Sequence, residues 1–379
     1  MVAPHYSPRQ PRASPVWQVL HDHWDAFRAR HAAGYEADHG PLPTEADPWV
    51  RAFLRCGDFN AGVARYRCAD CDHEFLLPFT CKRRVVCASC HQRRTLTEAA
   101  FIADTICAPV PHRHLVFTVP RLIHIVFRRD RPLLAELCHA AHAAIAVWLR
   151  DRTGCAAGQP GLVIAVQTFG DYLLGHPHLH IMVTAGVFTS DGAFHLAPTG
   201  GWQQLGELWR LAVLRRLRER HALADWQVAR LAQWRHSGFT LDAGAAPLAA
   251  TDAAGRRRLA EYLLRAPYSL EKITYNPAAG QVLYRSERHW RLKRNFEVFR
   301  AHDFIAALID QLPVKGVPMV RYYGWYSNKS RGRRARIASG STPESGRVSS
   351  PLSDCQPANP CRRRTCWRQL VQTVWGVDF

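Results

Sequence analysis

His178 and His180 stand two apart in the run His176-Pro177-His178-Leu179-His180-Ile181-Met182-Val183. In a β-strand alternate side chains share a face, so the two imidazoles point one way while Leu179 and Ile181 point into a core. Two such rings can grip one divalent cation, which needs further ligands and keeps positions open for a phosphate oxygen. The plainer alternative is a pair of ordinary polar histidines on a strand. Two candidates stand for a third ligand: Gln167, on what would be the antiparallel neighbour, and His176, two residues earlier on the same face. Gln167 is preferred because Pro177 disturbs the strand at 176.

A second cluster is made of sulfur. Cys68-x-x-Cys71 and Cys87-x-x-Cys90, 15 residues apart, have the spacing of a zinc ribbon. Two thiolate pairs on two turns close a tetrahedron with no open position, which makes the zinc structural rather than catalytic. Disulfides or idle thiols are the alternative. Cys56, Cys81 and His91 lie close by, and one of them can replace a fourth ligand; the spacing does not choose. Lys82-Arg83-Arg84 and Arg93-Arg94 flank the cluster, either to meet a phosphate backbone or as a solvated basic face.

A third group interleaves aromatics with cations: Arg321, Tyr322, Tyr323, Trp325 and Tyr326, then Lys329, Arg331, Arg333, Arg334 and Arg336. Platforms on which unpaired bases stack have this composition. An aromatic core strand followed by a solvated basic tail has it too.

The whole chain agrees with a polyanionic partner. Its 379 residues carry 50 Lys and Arg, mostly Arg, against 31 Asp and Glu, a net charge of +19. From residue 321 to the end, eleven Lys or Arg face three Asp or Glu, a local excess of +8. With 47% hydrophobic and 21% charged residues, global disorder is excluded. No apolar run approaches the roughly 20 residues of a membrane helix, the longest being 143–149. The first thirty residues hold no secretory apolar segment, so a reducing cytoplasm is expected, where cysteines hold metals rather than disulfides.

Periodicity supplies the elements that must position these groups. Helices are predicted over residues 16–31, 95–105, 131–150, 202–223 and 258–265. Strands are predicted over 114–118, 161–168, 177–187, 272–275 and 281–284. Leu133, Leu134, Leu137, Ala141, Ile145 and Trp148 form one stripe of the long helix, and Pro267 ends the helix before it. This order is that of an α+β protein. We divide it into an N-terminal helical segment (1–45), a zinc-binding domain (46–98), a catalytic domain (99–290), a basic and aromatic accessory region (291–336), and a Ser/Gly/Pro-rich linker with a basic tail (337–379).

Several motifs, in order, resemble one family. They are Cys81-Lys82-Arg83 with Cys87-Ala88-Ser89-Cys90; Gln167-Thr168-Phe169-Gly170; His178-Leu179-His180 leading to Gly186-Val187-Phe188; Glu261-Tyr262-Leu263-Leu264-Arg265-Ala266-Pro267; and Arg321-Tyr322-Tyr323-Gly324-Trp325-Tyr326-Ser327. Together they resemble the IS91-type transposases, rolling-circle enzymes of the HUH (His-hydrophobic-His) nuclease superfamily. The resemblance implies an HUH-type antiparallel sheet with flanking helices, a zinc-ribbon-like domain before it and a basic tail behind it. It implies that His178 and His180 bind a catalytic Mg²⁺ or Mn²⁺, that Tyr262 is the nucleophile, and that the partner is single-stranded DNA at insertion-sequence ends. It implies a bacterial, cytoplasmic, nucleoid-associated protein without a membrane partner.

A phenol is a poor nucleophile at neutral pH and needs a metal that polarises the scissile phosphate. Attack leaves a 5′-phosphotyrosine and a free 3′-hydroxyl, and needs no ATP-binding loop. Members with two catalytic tyrosines place them four residues apart, where this chain has Ala266, so one tyrosine is expected. Tyr268 lies past Pro267, and the alternative for Tyr262 is a buried helix aromatic. Relatives commonly continue past Val-Asp-Pro into another cysteine pair, so a shortened copy is expected here, and Cys355, Cys361 and Cys366 form no recognisable site. Two competing readings stand beside the transposase: a catalytically inactive zinc-dependent DNA-binding protein, and a related replication initiator or relaxase.

Overall fold

The computed structural model describes residues 10–338, apart from 235–237, 245 and 289–292. The tail expected from residue 337, with Cys355, Cys361 and Cys366, lies outside the described residues save for the end of one helix.

Three helices, α1 (Pro15–Gly34), α2 (Glu36–His39) and α3 (Ala46–Leu54), lead into a hairpin of β1 (Val63–Arg67) and β2 (Glu74–Pro78) and then α4 (Ala88–Phe101). The middle of the chain runs β3 (His112–Thr118), α5 (His124–Arg129), α6 (Leu134–Thr153), β4 (Gly161–Phe169), β5 (Gly175–Thr184), β6 (Gly186–Phe188), β7 (Phe194–Leu196), α7 (Trp202–Glu219), α8 (Asp225–Gln233), β8 (Leu241–Asp242) and α9 (Ala253–Leu263). After it come β9 (Ile273–Asn276), β10 (Gln281–Arg285), β11 (Phe296–Arg300), α10 (Ala301–Ile309), β12 (Val320–Gly324) and α11 (Asn328–Ala338).

The centre is a five-stranded antiparallel sheet in the order β12-β4-β5-β3-β8. Strand alternation gives it two different faces. Leu115, Phe117, Leu162, Ile164, Leu179 and Ile181 pack on α6 and α7 in the largest core. On α6 the buried residues Leu134, Leu137, Cys138, Ala141, Ile145, Trp148 and Leu149 follow the 3.6 period, so the stripe expected from sequence is the one that packs. Burial of each leucine there stabilises by roughly 1.5–3 kcal/mol relative to exposure. Gly154, in the left-handed conformation at φ 65°, ends the helix. Residues Arg131–Thr153 are long and apolar enough to cross a membrane by length and composition, against the sequence expectation; two thirds of the most apolar stretch is buried against sheet and α7, the setting of a core helix.

The opposite face presents Val163, Ala165 and Met182 to α4 and α9, through Ala99, Phe101, Ala260 and Leu263. This second face also carries the histidines. A further core draws on both ends of the chain: Val16, Leu20, Trp24, Phe27 and Phe53 pack with Val86, Cys87 and Cys90, and with Tyr268, Val282, Phe304 and Ile305. The small sheet β11-β10-β9 lies against it.

Candidate functional site

β4 and β5 pair with Gln167 opposite His178 and Ala165 opposite His180, and β3 on the other side places Val116 opposite His180. The bulge after Gln167 re-aims the end of β4 beside the histidines. His178 and His180 are both buried, and their Nε2 atoms meet at 3.1 Å. The His178 tautomer follows from its other nitrogen. His178 Nδ1–H donates to the His176 carbonyl at 2.7 Å, which leaves its Nε2 bare, and His180 Nδ1 lies 3.0 Å from His114 Nε2, where either ring can be the donor. The two Nε2 atoms converge at the separation a shared ion needs: two ligands about 2.1 Å from one octahedral cation, at right angles, lie about 3 Å apart. Burial pushes His178 down to about 4 and His180 to about 3, so both rings are neutral at pH 7, the ligating form.

Gln167 is equally buried. Its Nε2 donates to the Leu263 carbonyl at 3.1 Å, while its Oε1 is buried without a hydrogen-bond partner. An unpaired buried acceptor costs about 1–3 kcal/mol, which a cation would relieve. Two imidazoles and an amide oxygen thus fit Mg²⁺ or Mn²⁺. His176 engages His178 through its backbone carbonyl, and its ring lies 5.1 Å from those of His178 and His124. We therefore expect Gln167→Leu to weaken Mn²⁺ binding by about tenfold to 100-fold, read from free Mn²⁺ by electron paramagnetic resonance, and His176→Ala to change it much less.

Asp252 starts the helix that faces these rings. Its carboxylate caps α9 by accepting from the Gly255 amide at 2.7 Å, and a Cβ on Gly255 would lie 2.1 Å from that carboxylate. Ala260 and Leu263 turn inward, which leaves Tyr262 on the edge toward the histidines, 43% exposed. Its ring lies edge-on to His180 at 5.2 Å and to His114 at 5.7 Å, and the Arg265 guanidinium lies 4.6 Å from it. His114 is not singled out in the sequence reading, although His112 stands two residues before it at the spacing of His178 and His180; strand pairing brings His114 beside His180, while the His112 ring meets the Tyr326 hydroxyl at 2.7 Å. Tyr268, by contrast, is buried and donates to the Val86 carbonyl at 3.0 Å.

The cysteines regroup. Cys87 and Cys90 meet Cys56 and Cys81, not Cys68 and Cys71, with all four sulfurs within 4.8 Å of one another. Sulfur separations of 3.6 Å (Cys81–Cys90), 3.8 Å (Cys56–Cys87) and 3.9 Å (Cys56–Cys90) match the edge of a tetrahedron with Zn–S bonds near 2.3 Å, about 3.8 Å. Hydrogen bonds from the neighbouring thiols, that of Cys81 first, hold Cys56 at about 7. Cys90, in the first turn of α4, is pushed down as well, by hydrogen bonds from Cys56 first, while the same contact pushes Cys87, at the N-cap, up. Cys68 and Cys71 lie at the tip of the β1–β2 hairpin, Cys71 exposed, because five paired residues carry that tip away from the cluster.

The basic residues divide. Arg93, Arg94, Lys329 and Arg333 are exposed, although Arg94 lies 3.8 Å from Glu98. Arg83 stands 5.5 Å from the Trp49 ring, and burial pushes Arg84 down to about 10. The aromatics sit on the edge strand β12 and just beyond it, packed by the chain itself. Tyr323 stacks on His142 at 5.0 Å, Arg331 lies 5.6 Å from the Tyr322 ring, and Trp325 is held between Phe188 at 4.5 Å and Arg334 at 3.9 Å. Arg321 Nε donates to the Pro318 carbonyl at 3.2 Å.

Comparison with known proteins places these groups in context. A family described as "Putative transposase" matches residues 161–334, and one described as "Transposase zinc-binding domain" matches residues 19–119. The chain is 27% identical over 323 residues to the transposase for insertion sequence element IS801 of Pseudomonas savastanoi pv. phaseolicola, covering 81% of this chain and 76% of that one. It is 24% identical over 336 residues to "Putative transposase y4qJ" of Sinorhizobium fredii, covering 82% and 81%. No solved structure matches it.

Proposed function

Since the chain belongs to the IS91 family of transposases, DNA-cleaving and strand-transferring enzymes with a zinc-binding module, we propose that it nicks and rejoins single-stranded DNA at insertion-sequence ends on an HUH-type site, through a tyrosine transesterification in rolling-circle transposition. The observation that carries this reading is the Tyr262 ring 5.2 Å from the ring of His180, whose Nε2 converges with that of His178 at 3.1 Å.

His178, His180 and the Gln167 amide oxygen would hold Mg²⁺ or Mn²⁺. When bound, the ion supplies Lewis acidity to the scissile phosphate and offsets charge in the transition state. The Tyr262 oxygen attacks the phosphorus and loses its proton to solvent at this half-exposed edge. The bond from phosphorus to the 3′-oxygen breaks, a 5′-phosphotyrosine forms, and the leaving 3′-oxygen takes up a proton. Arg265 sets a fixed positive charge beside the ring, where it draws in the phosphate. Because the phosphodiester energy is kept, a 3′-hydroxyl from another strand reverses the step and joins the DNA. Ala266, past the end of α9, stands four residues after Tyr262, where the two-tyrosine enzymes that the motifs resemble carry their second tyrosine, so one nucleophile serves both steps.

The test is direct. Full-length protein with Mn²⁺ and labelled single-stranded oligonucleotides from its element's ends should give a covalent adduct that survives denaturation, absent with chelator and with duplex DNA. Binding without adduct on every candidate end would favour a non-catalytic DNA-binding protein.

A further inference from the structure

We infer that the zinc-binding module is a positioning element of the nucleophile, acting through His91 and Thr95 on the end of the helix that carries Tyr262. This rests on the assignment of Tyr262 above.

His91 directly follows Cys90 on α4 and is 9% exposed. Both ring nitrogens are used. The Val85 amide donates to Nδ1 at 3.1 Å, which leaves Nε2–H to donate to the Leu264 carbonyl at 2.9 Å. Thr95, one turn further along the same face, donates its hydroxyl to that carbonyl at 3.0 Å. Leu264 is the C-cap of α9, and its carbonyl is among those that a helix end leaves without an intrahelical partner. The carbonyl before it, of Leu263, takes Gln167 from the sheet side. Past the helix, the Tyr268 hydroxyl returns to the Val86 carbonyl inside the metal-binding loop.

The end of α9 is therefore gripped from two sides, by the strand that carries Gln167 and by the module. Tyr262 lies one and two residues before the two gripped carbonyls. An ungripped helix end frays, and misplacing a reacting group by about 1 Å can cost about 100-fold in rate. The four cysteines fix the first turn of α4, and His91 and Thr95 pass that position on to the phenol. Neither residue touches the reacting atoms; both are positioning residues.

The experiment uses full-length, metal-loaded protein and a saturating single-stranded oligonucleotide. It measures the single-turnover adduct rate, the oligonucleotide Kd, and hydrogen exchange in the peptide spanning residues 253–264. His91→Phe and Thr95→Val are each expected to slow adduct formation about tenfold or more, to leave Kd within about twofold, and to raise exchange at the helix end. His91→Gln, which keeps an N–H donor near the Leu264 carbonyl, should recover most of the rate. Folded variants with wild-type rate and exchange, or a rate lost only in step with Kd, would overturn the inference. Should His91→Phe fail to fold, Thr95→Val alone decides. Wild type without adduct sinks the nucleophile assignment instead, while exchange still reports whether the module grips α9.

Discussion

Tyr262→Phe is expected to abolish the covalent DNA adduct, a loss of about 10³-fold or more, while oligonucleotide affinity stays within about twofold. The substitution removes one oxygen from a side chain that is 43% exposed, so stability should move by no more than about 0.5 kcal/mol. Phenylalanine keeps the ring that meets His180 edge-on and lies beside Arg265, so the surroundings of the site persist without the nucleophile. Gel separation of labelled DNA after denaturation reads the loss. Tyr268→Phe is the matched control. It leaves the buried Val86 carbonyl unpaired, which should cost about 1–3 kcal/mol in stability, yet the adduct should still form. An adduct that survives Tyr262→Phe would move the nucleophile to another residue.

Much of this site was legible because its information is local. A strand period of two places His178 and His180 on one face whatever the rest of the chain does, and the apolar residues between them identify the strand. The same period, with a plausible neighbour strand, made Gln167 a candidate. What was not legible depends on contacts distant in sequence. His112 and His114 repeat the two-residue spacing of the site histidines, but the segment alone does not say which of them reaches the site: His114 joins His180 because β3 pairs with β5, while His112 turns to Tyr326. The aromatic run at 321–326 reads equally as a stacking platform or as a strand; β12 pairs with β4, and its neighbours Phe188, His142 and Arg334 take the ring faces. Neither of the Leu264 contacts leaves a trace in sequence spacing, since His91 and Thr95 reach 173 and 169 residues along the chain.

The sulfur site shows the same limit and yields the sharpest test. Two Cys-x-x-Cys pairs are the strongest short-range signal, and they drew Cys68 and Cys71 into one site with Cys87 and Cys90. The hairpin between them has five residue pairs and carries Cys68 and Cys71 away at its far end, while its two feet bring Cys56 and Cys81 together. We therefore expect Cys56→Ser and Cys81→Ser to lower zinc content from about one per chain to a small fraction, and Cys68→Ser and Cys71→Ser to leave that ion in place, as read by mass spectrometry of metal in purified protein. The effect on stability should be large. Structural zinc is worth about 10–16 kcal/mol in small zinc-finger peptides, and here Cys56, Cys87 and Cys90 sit in a core shared with Trp24, Phe53 and Phe304. Even a 3 kcal/mol loss would lower Tm by about 6–12 °C in a cooperative unit of about 150–250 residues. Because α4 carries His91 and Thr95, which hold the Leu264 carbonyl at the end of α9, Cys56→Ser should also lose the adduct with Tyr262 intact, which Cys71→Ser should not. Loss of the ion from Cys68→Ser instead would return the site to the ribbon pairing, and the hairpin would then have to fold back on its own base.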